Sequence, residues 1–490
     1  KRVARGQALD EAETVFEGEQ TDVGVWPAAV SVPGERFMAI VRAVSFFETE
    51  YYFVTPEGPK RLPLPKRVDI AGYWEGELLL TLQADWTFDE GKTLPAGALA
   101  SFPVAAYLAG EEARPQILYE PGARASIQSV DLSGGRIILG LIDNVIGKVL
   151  IGENGPEGWA FAPAKVPSNS TLSVVFASAF ETPVFVNYET MTEPDTLALL
   201  DLETGALSAL KSLPARFDPE GLTVSQFEAT SADGTKIPYF ALAPAGQTDP
   251  APALLYGYGG FQISMKPSYS ATIGKLWAGN GGVYLLANIR GGGEFGPAWH
   301  EAARRENRQK SFDDFIAVAD DAAARGLTSP AQLGIMGGSN GGLLTGAVMV
   351  QRPDLFGAVI SQVPLLDMLR FHKLLAGASW VDEYGNPDDA KEREAILQYS
   401  PYQNVSAEAD YPPVLFVTST KDDRVHPGHA RKMVARMKEQ GHDVLYFEAI
   451  EGGHNAAANL KQRAERTAME FTFLARELGL SLAEPADDAP

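Results

Sequence analysis

The chain has 490 residues, 45% of them apolar, a formal charge of −22 at neutral pH and no cysteine. Length and composition suit a soluble globular chain of two or three domains, while the charge argues against a nucleic-acid partner, which needs Lys and Arg concentrated against phosphate. Zero cysteines exclude disulfides, thiol catalysis and cysteine-ligated zinc, and leave cytoplasm and periplasm equally open; no apolar run reaches the roughly 18 residues that would predict a membrane-spanning helix.

Residues 1–220 carry short runs rich in β-branched and aromatic residues at 37–41, 51–54, 78–82, 136–139, 172–176, 184–188 and 196–200. Turn residues separate them and long helical periodicity is absent, so the region is expected to be all-β. Such spacing fits blades of a β-propeller, and a β-sandwich would read similarly. At roughly 50 residues per four-stranded blade, the region holds about four. The chain opens at Lys1-Arg2-Val3 in what reads as mid-domain sequence. A C-terminal piece of a longer protein is therefore expected, with the missing N-terminal fragment as a candidate partner.

The texture changes near residues 217–222, and 221–490 reads as a separate α/β unit. A strand at 224–230 and a hairpin turn at 232–235 open it. The carboxylates Asp313, Asp314, Asp320 and Asp321 fall on a helical run, 311–325, and read as a solvated face. Next come the apolar run 333–336, the hexapeptide Gly337-Gly338-Ser339-Asn340-Gly341-Gly342 and a helical stretch, 343–351. This is a G-x-S-x-G turn between strand and helix, the setting in which a serine is lifted off a sheet edge as a nucleophile.

A nucleophile in that setting needs an acid and then a histidine, each after a later strand. Run 414–418 reads as a buried strand, followed by Lys421-Asp422-Asp423-Arg424 with two carboxylates in one loop. A helix at 429–440 and a strand at 444–449 lead to Glu451-Gly452-Gly453-His454. Of the six histidines, His426 and His429 follow the acid loop too closely and His442 ends a helix; His454 alone has the required position. Its Nε2 would take the serine proton while a carboxylate holds Nδ1–H. Spacing does not separate Asp422 from Asp423. No metal or organic cofactor is implied, and Asp388-Asp389 lacks a calcium-loop pattern.

Tyr256-Gly257-Tyr258-Gly259-Gly260-Phe261, Asn288-Ile289-Arg290-Gly291-Gly292-Gly293-Glu294-Phe295-Gly296, the Ser339 hexapeptide with its following Gln351-Arg352-Pro353-Asp354-Leu355-Phe356-Gly357, and Asp422-Asp423-Arg424-Val425 occur in order. Together they resemble the catalytic domain of the prolyl oligopeptidase family, serine peptidases of the α/β-hydrolase fold with a β-propeller cap. The resemblance implies Asp422 as the triad acid, and an oxyanion site made by the Asn340 backbone N–H and the Tyr258 hydroxyl. It also implies a proline-facing wall at Trp380, with Phe261, Tyr384 and Val425 around it and Arg424 on a substrate carbonyl. An indole suits proline because the ring offers a rigid apolar face and no N–H to satisfy.

Relatives that cleave after basic residues place carboxylates in the segment holding Asp382 and Glu383, which makes that specificity the competing expectation; a carboxylesterase would share Ser339, Asp422 and His454. Leu365 and Ala376 depart from the residue types usual in the pocket of the family's mammalian members. The family closes its propeller with seven blades, against the four counted here, and the propeller is expected to admit oligopeptides and exclude folded proteins. The protein is expected to be monomeric, and the acidic tail, 484–490, solvated.

Overall fold

The computed structural model describes residues 1–89 and 91–483; the acidic tail lies outside the described residues. The N-terminal part consists of four antiparallel four-stranded sheets and a two-stranded hairpin, Trp86–Phe88 with Lys92–Leu94. The first sheet runs through Gly24–Val32, Glu35–Ala43, Thr49–Thr55 and Gly58–Arg61 in chain order, as a meander of hairpins.

Alternation along a single strand shows how the sheets stack. In Arg136–Asp143, Ile137 and Leu139 pack with Leu79 and Leu99 of the preceding sheet, whereas Ile138 packs with Val184 and Val186 of the following one. A strand's side chains alternate between its two faces, so a continuously apolar strand is one buried between neighbouring sheets, as in propeller blades. A short α-helix, Val104–Ala109, and a 3-10 turn, Leu9–Glu11, interrupt the all-β region.

The C-terminal part is an α/β-hydrolase domain built on one eight-stranded sheet. Its strands are β1 Leu222–Thr230, β2 Lys236–Pro244, β3 Ala253–Tyr256, β4 Val283–Ala287, β5 Leu333–Gly338, β6 Ala358–Gln362, β7 Val414–Ser419 and β8 Val444–Ala449. The spatial order is β1-β2-β4-β3-β5-β6-β7-β8. β1 and β2 pair antiparallel and everything from β4 onward is parallel. Parallel strands need covered faces, and β7 is buried at every position. Helices α1 Gln309–Ala324 and α2 Asn340–Gln351 supply part of that cover.

Helix α1 corrects the reading of its carboxylates as a solvated face at two positions, Asp314 and Asp321, while Asp320 is exposed. Asp314 is fully buried, accepting from Ser231 Oγ at 2.6 Å, Arg290 Nε at 2.9 Å and Arg290 N at 3.0 Å. Asp321 accepts from the Tyr239 hydroxyl at 2.7 Å. A buried guanidinium obliges a helix to bring a carboxylate inward, and Arg290 lies on a distant loop that helical periodicity cannot reveal.

The two parts meet along several specific contacts. Thr171 Oγ1 donates to Pro267 O at 2.6 Å and Gln226 Nε2 to Asn144 O at 2.9 Å. Phe46 packs edge-on to Phe261 with centroids 5.2 Å apart, and Phe47 lies against His300. These contacts set an N-terminal loop, between Glu35–Ala43 and Thr49–Thr55, over the carboxyl ends of the parallel strands.

Candidate active site

Ser339 stands between β5 and α2, with φ 59° and ψ −117°. A left-handed backbone at a non-glycine residue is strained and persists only where its surroundings enforce it. Here Ser339 N donates to Gln362 O at 2.9 Å, and its own carbonyl accepts from Gly342 N and Leu343 N. The glycines allow the tight turn: a Cβ on Gly337 would lie 2.3 Å from Gly341 O, and one on Gly342 would lie 2.7 Å from Gln362 O.

Asp422 follows β7 and His454 follows β8. His454 Nδ1 lies 3.0 Å from Asp422 Oδ1 and 2.9 Å from Oδ2. Arg424 N and Val425 N each donate to Asp422 Oδ1 at 2.9 Å, so the carboxylate is buried yet held from two sides. Asp423 is exposed and makes no such contact. The other histidines are engaged elsewhere: His300 with Glu383, His372 with Asp388, His426 with Gly428 N, His429 with Leu366 N and Asp367 N, and His442 with Ser406 O. No hydrogen bond joins Ser339 to His454 among the described residues, a link that in hydrolases commonly tightens only on substrate.

A cavity of about 80 Å³ opens beside Ser339, walled by Tyr258, Phe261, Trp380, Tyr384, Arg424, Leu365, Ile263 and Phe46. Burial pushes the Tyr258 hydroxyl above its ordinary pKa, and the neighbouring Ser339 hydroxyl offsets part of that rise. The backbone N–H of Asn340 opens helix α2 and has no partner among the described residues. Arg424 is exposed and without an ion-pair partner among the described residues. Val425 lies in the core with its N–H on Asp422 and does not reach the cavity wall. Phe46 and Ile263 were missed in the sequence; the paired Phe46-Phe47 in a turn of an all-β region was the available signal.

Beneath the cavity lies a buried polar network. Phe261 and Gln262 both have left-handed backbones, φ 55° and 58°, and Phe261 N donates to Glu383 Oε1 at 3.0 Å. Glu383 also receives Arg308 Nη1 at 2.8 Å and contacts His300 Nε2 at 2.7 Å. Burial alone would push this carboxyl's pKa up, but His300, Arg308 and the Phe261 N–H outweigh it and hold the group below the ordinary value. Asn340 Oδ1 accepts from Arg308 Nη2 and from the Tyr384 hydroxyl, the latter at 2.8 Å, while Asn340 Nδ2 donates to Tyr258 O. One network thus fixes Phe261, Tyr384, Asn340 and the Tyr258 backbone together. Asp382 is half-buried and outside the cavity wall. Among the described residues no group of three His, Asp or Glu side chains is placed to hold a metal ion, and no helix is long and apolar enough to cross a membrane.

A serine on a strained strand-to-helix turn, with a paired aspartate and histidine after later parallel strands, defines the serine-hydrolase class on this fold. Residues 267–481 match the prolyl oligopeptidase family. Over 98% of its length the chain is 45% identical to an uncharacterized peptidase, y4nA, of Sinorhizobium fredii, covering 67% of that protein. It is 36% identical to a prolyl endopeptidase of Elizabethkingia miricola over 64% of this chain and 46% of that one. A solved post-proline cleaving enzyme from Rickettsia typhi superposes with a TM-score of 0.90 at 33% identity, over 97% of this chain and 70% of that one. The chain belongs to the prolyl oligopeptidase family and is a serine-type peptidase.

Proposed function

We propose that the chain hydrolyses short peptides on the C-terminal side of proline through an acyl-enzyme on Ser339. The observation that carries the specificity is the cavity wall: aromatic at Trp380, Phe261 and Tyr384, with Asp382 outside it and Glu383 committed to Arg308 and His300. A basic P1 side chain would find no free carboxylate there, while a proline ring would find flat apolar faces.

In this reading His454 Nε2 takes the proton as Ser339 Oγ attacks the scissile carbonyl, and Asp422 stabilises the imidazolium through Nδ1–H. The oxyanion lies between the Asn340 N–H and the Tyr258 hydroxyl. Collapse expels the amine, protonated by His454; water then repeats the sequence on the acyl-enzyme. Arg424 holds a substrate carbonyl by a charge-assisted hydrogen bond. Residues 1–220 form a cap of propeller blades and 221–490 the catalytic unit, the cap limiting substrates to oligopeptides, and the protein acts as a monomer.

A fluorophosphonate probe, followed by peptide mapping and digestion of proline-containing oligopeptides, tests the proposal. Label on Ser339 with cuts after proline supports it. Label with cuts only after Arg or Lys would give the basic-residue specificity, and label with ester hydrolysis alone would give an esterase.

A further inference from the structure

Between the N-terminal sheets and the catalytic domain lie two cavities of about 510 and 360 Å³. They share Asp69, Gln83, Gln128 and Gln262 as walls, and the smaller shares Phe46 and Phe261 with the cavity at Ser339. Phe46 and Phe261 thus stand between the cavity at the nucleophile and a chamber between the two parts of the chain. The wall at Ser339 is aromatic, whereas the chamber carries the amides of Gln83, Gln128 and Gln262 and the hydroxyl of Ser126 among alanine, glycine and proline.

Asp69 and Arg67 are the charged residues of these two walls. Arg67 borders the smaller cavity alone and is paired, its Nη1 donating to Glu301 Oε2 at 3.0 Å. Asp69 borders both. One of its oxygens accepts from Gln83 Nε2 at 2.7 Å, and no cation pairs with it among the described residues. Gln83 in turn accepts from Gln262 Nε2 at 2.8 Å. This amide chain fixes the carboxylate relative to the segment that carries Phe261. Surrounding protein raises the Asp69 carboxyl above its ordinary pKa, only partly offset by Gln83. Asp69 is exposed at the cavity wall, and a carboxylate held there by one amide with no cation of its own gains by meeting one.

We propose that this chamber is a substrate subsite, distal to the scissile bond, in which Asp69 binds a cationic group of the peptide, either an α-ammonium or a Lys or Arg side chain. The inference rests on the peptidase reading of Ser339. It differs from a basic P1 preference, since the cation binds beyond Phe46 and Phe261. Asp69 thus selects among proline-containing peptides without altering the residue at the cut.

The test uses peptides with one Gly-Pro cleavage site and a single Lys or norleucine moved along the flanking positions, each with a free or an acetylated N-terminus. The wild-type chain should favour Lys at a distal position, or a free N-terminus, by about tenfold in kcat/KM, mostly through KM; the acetyl arm separates the two sources of the cation. Asp69→Asn should abolish that preference while cleaving a short capped Gly-Pro reporter within about twofold of wild type. Equal cleavage of Lys and norleucine peptides by wild type would overturn the proposal, as would an equal loss on all substrates in Asp69→Asn. If wild type does not cleave the capped reporter, the peptidase reading fails instead. Calorimetric binding of the same peptides to Ser339→Ala then still decides the subsite, with tighter binding of the cationic peptide expected and indifference contradicting it.

Discussion

Arg308 Nη1 donates to Glu383 Oε1 at 2.8 Å, with both side chains essentially removed from solvent. The pair turns an acid one residue from Tyr384 and three from Trp380 into part of the pocket's floor instead of its recognition surface. Breaking one side of a buried pair leaves the other charge uncompensated, at a cost of about 3–5 kcal/mol. Glu383→Gln should therefore lower the melting temperature and the activity together, while the ratio of cleavage after Pro to cleavage after Arg stays unchanged. Thermal unfolding and paired reporters check both; loss of an Arg-directed activity present in wild type would make Glu383 a specificity residue.

Tyr258→Phe removes one hydroxyl beside Ser339 and keeps the ring. A donor aimed at developing negative charge acts mainly in the transition state, so kcat should fall about a hundredfold with KM little changed. Steady-state kinetics on a Gly-Pro amide separate this from a packing role, in which KM and stability would move instead.

Trp380→Ala should weaken proline recognition without disarming the nucleophile. The indole is largely buried against the cavity, and losing such a face costs on the order of 1–2 kcal/mol, or about five- to thirtyfold in kcat/KM for the proline reporter. The rate of fluorophosphonate labelling of Ser339, which needs no P1 ring, should change far less.

Glu294 provides a pH test. It is 1% exposed, and burial pushes its carboxyl up to about 7 from an unperturbed 4.5. Oε1 accepts from Met265 N at 2.8 Å, while Oε2 and the nearby Asn288 Oδ1 have no partner among the described residues. The folded protein favours the neutral acid, so between about pH 4.5 and 7 it binds more protons than the unfolded chain. The stabilisation is fully present below about 4.5 and is lost as pH rises through about 7; its size is on the order of 3 kcal/mol. Glu294→Gln should flatten this slope, matching wild type near pH 5 and exceeding its melting temperature near pH 8. Parallel melting curves at both pH values would contradict the assignment.

Residues whose placement follows from chain order were legible in the sequence. Ser339 on its turn and His454 after the last strand are fixed by the strand-turn-helix rhythm, and the structure brings His454 to Asp422. Residues whose meaning depends on a distant partner were not legible. Glu383 reads as a possible counter-charge until Arg308, 75 residues earlier, is found against it. Asp314 reads as surface until Arg290 is seen beneath the helix. In the all-β region the apolar runs gave the inner strands, but Gly24–Val32, whose apolar run is interrupted by Pro27, and Ala125–Ser133, in which apolar and polar residues alternate, went unread. Phe46 escaped for a related reason: its role is set by Phe261, on the other side of the domain junction.

The most direct measurement is kcat/KM for a capped Gly-Pro amide against an Arg-Arg amide, with Ser339→Ala as the blank. The proline reporter should be cleaved at least about tenfold faster, and Ser339→Ala should cleave neither. Faster cleavage of the Arg-Arg reporter would contradict the account of the pocket, and activity surviving in Ser339→Ala would contradict the nucleophile.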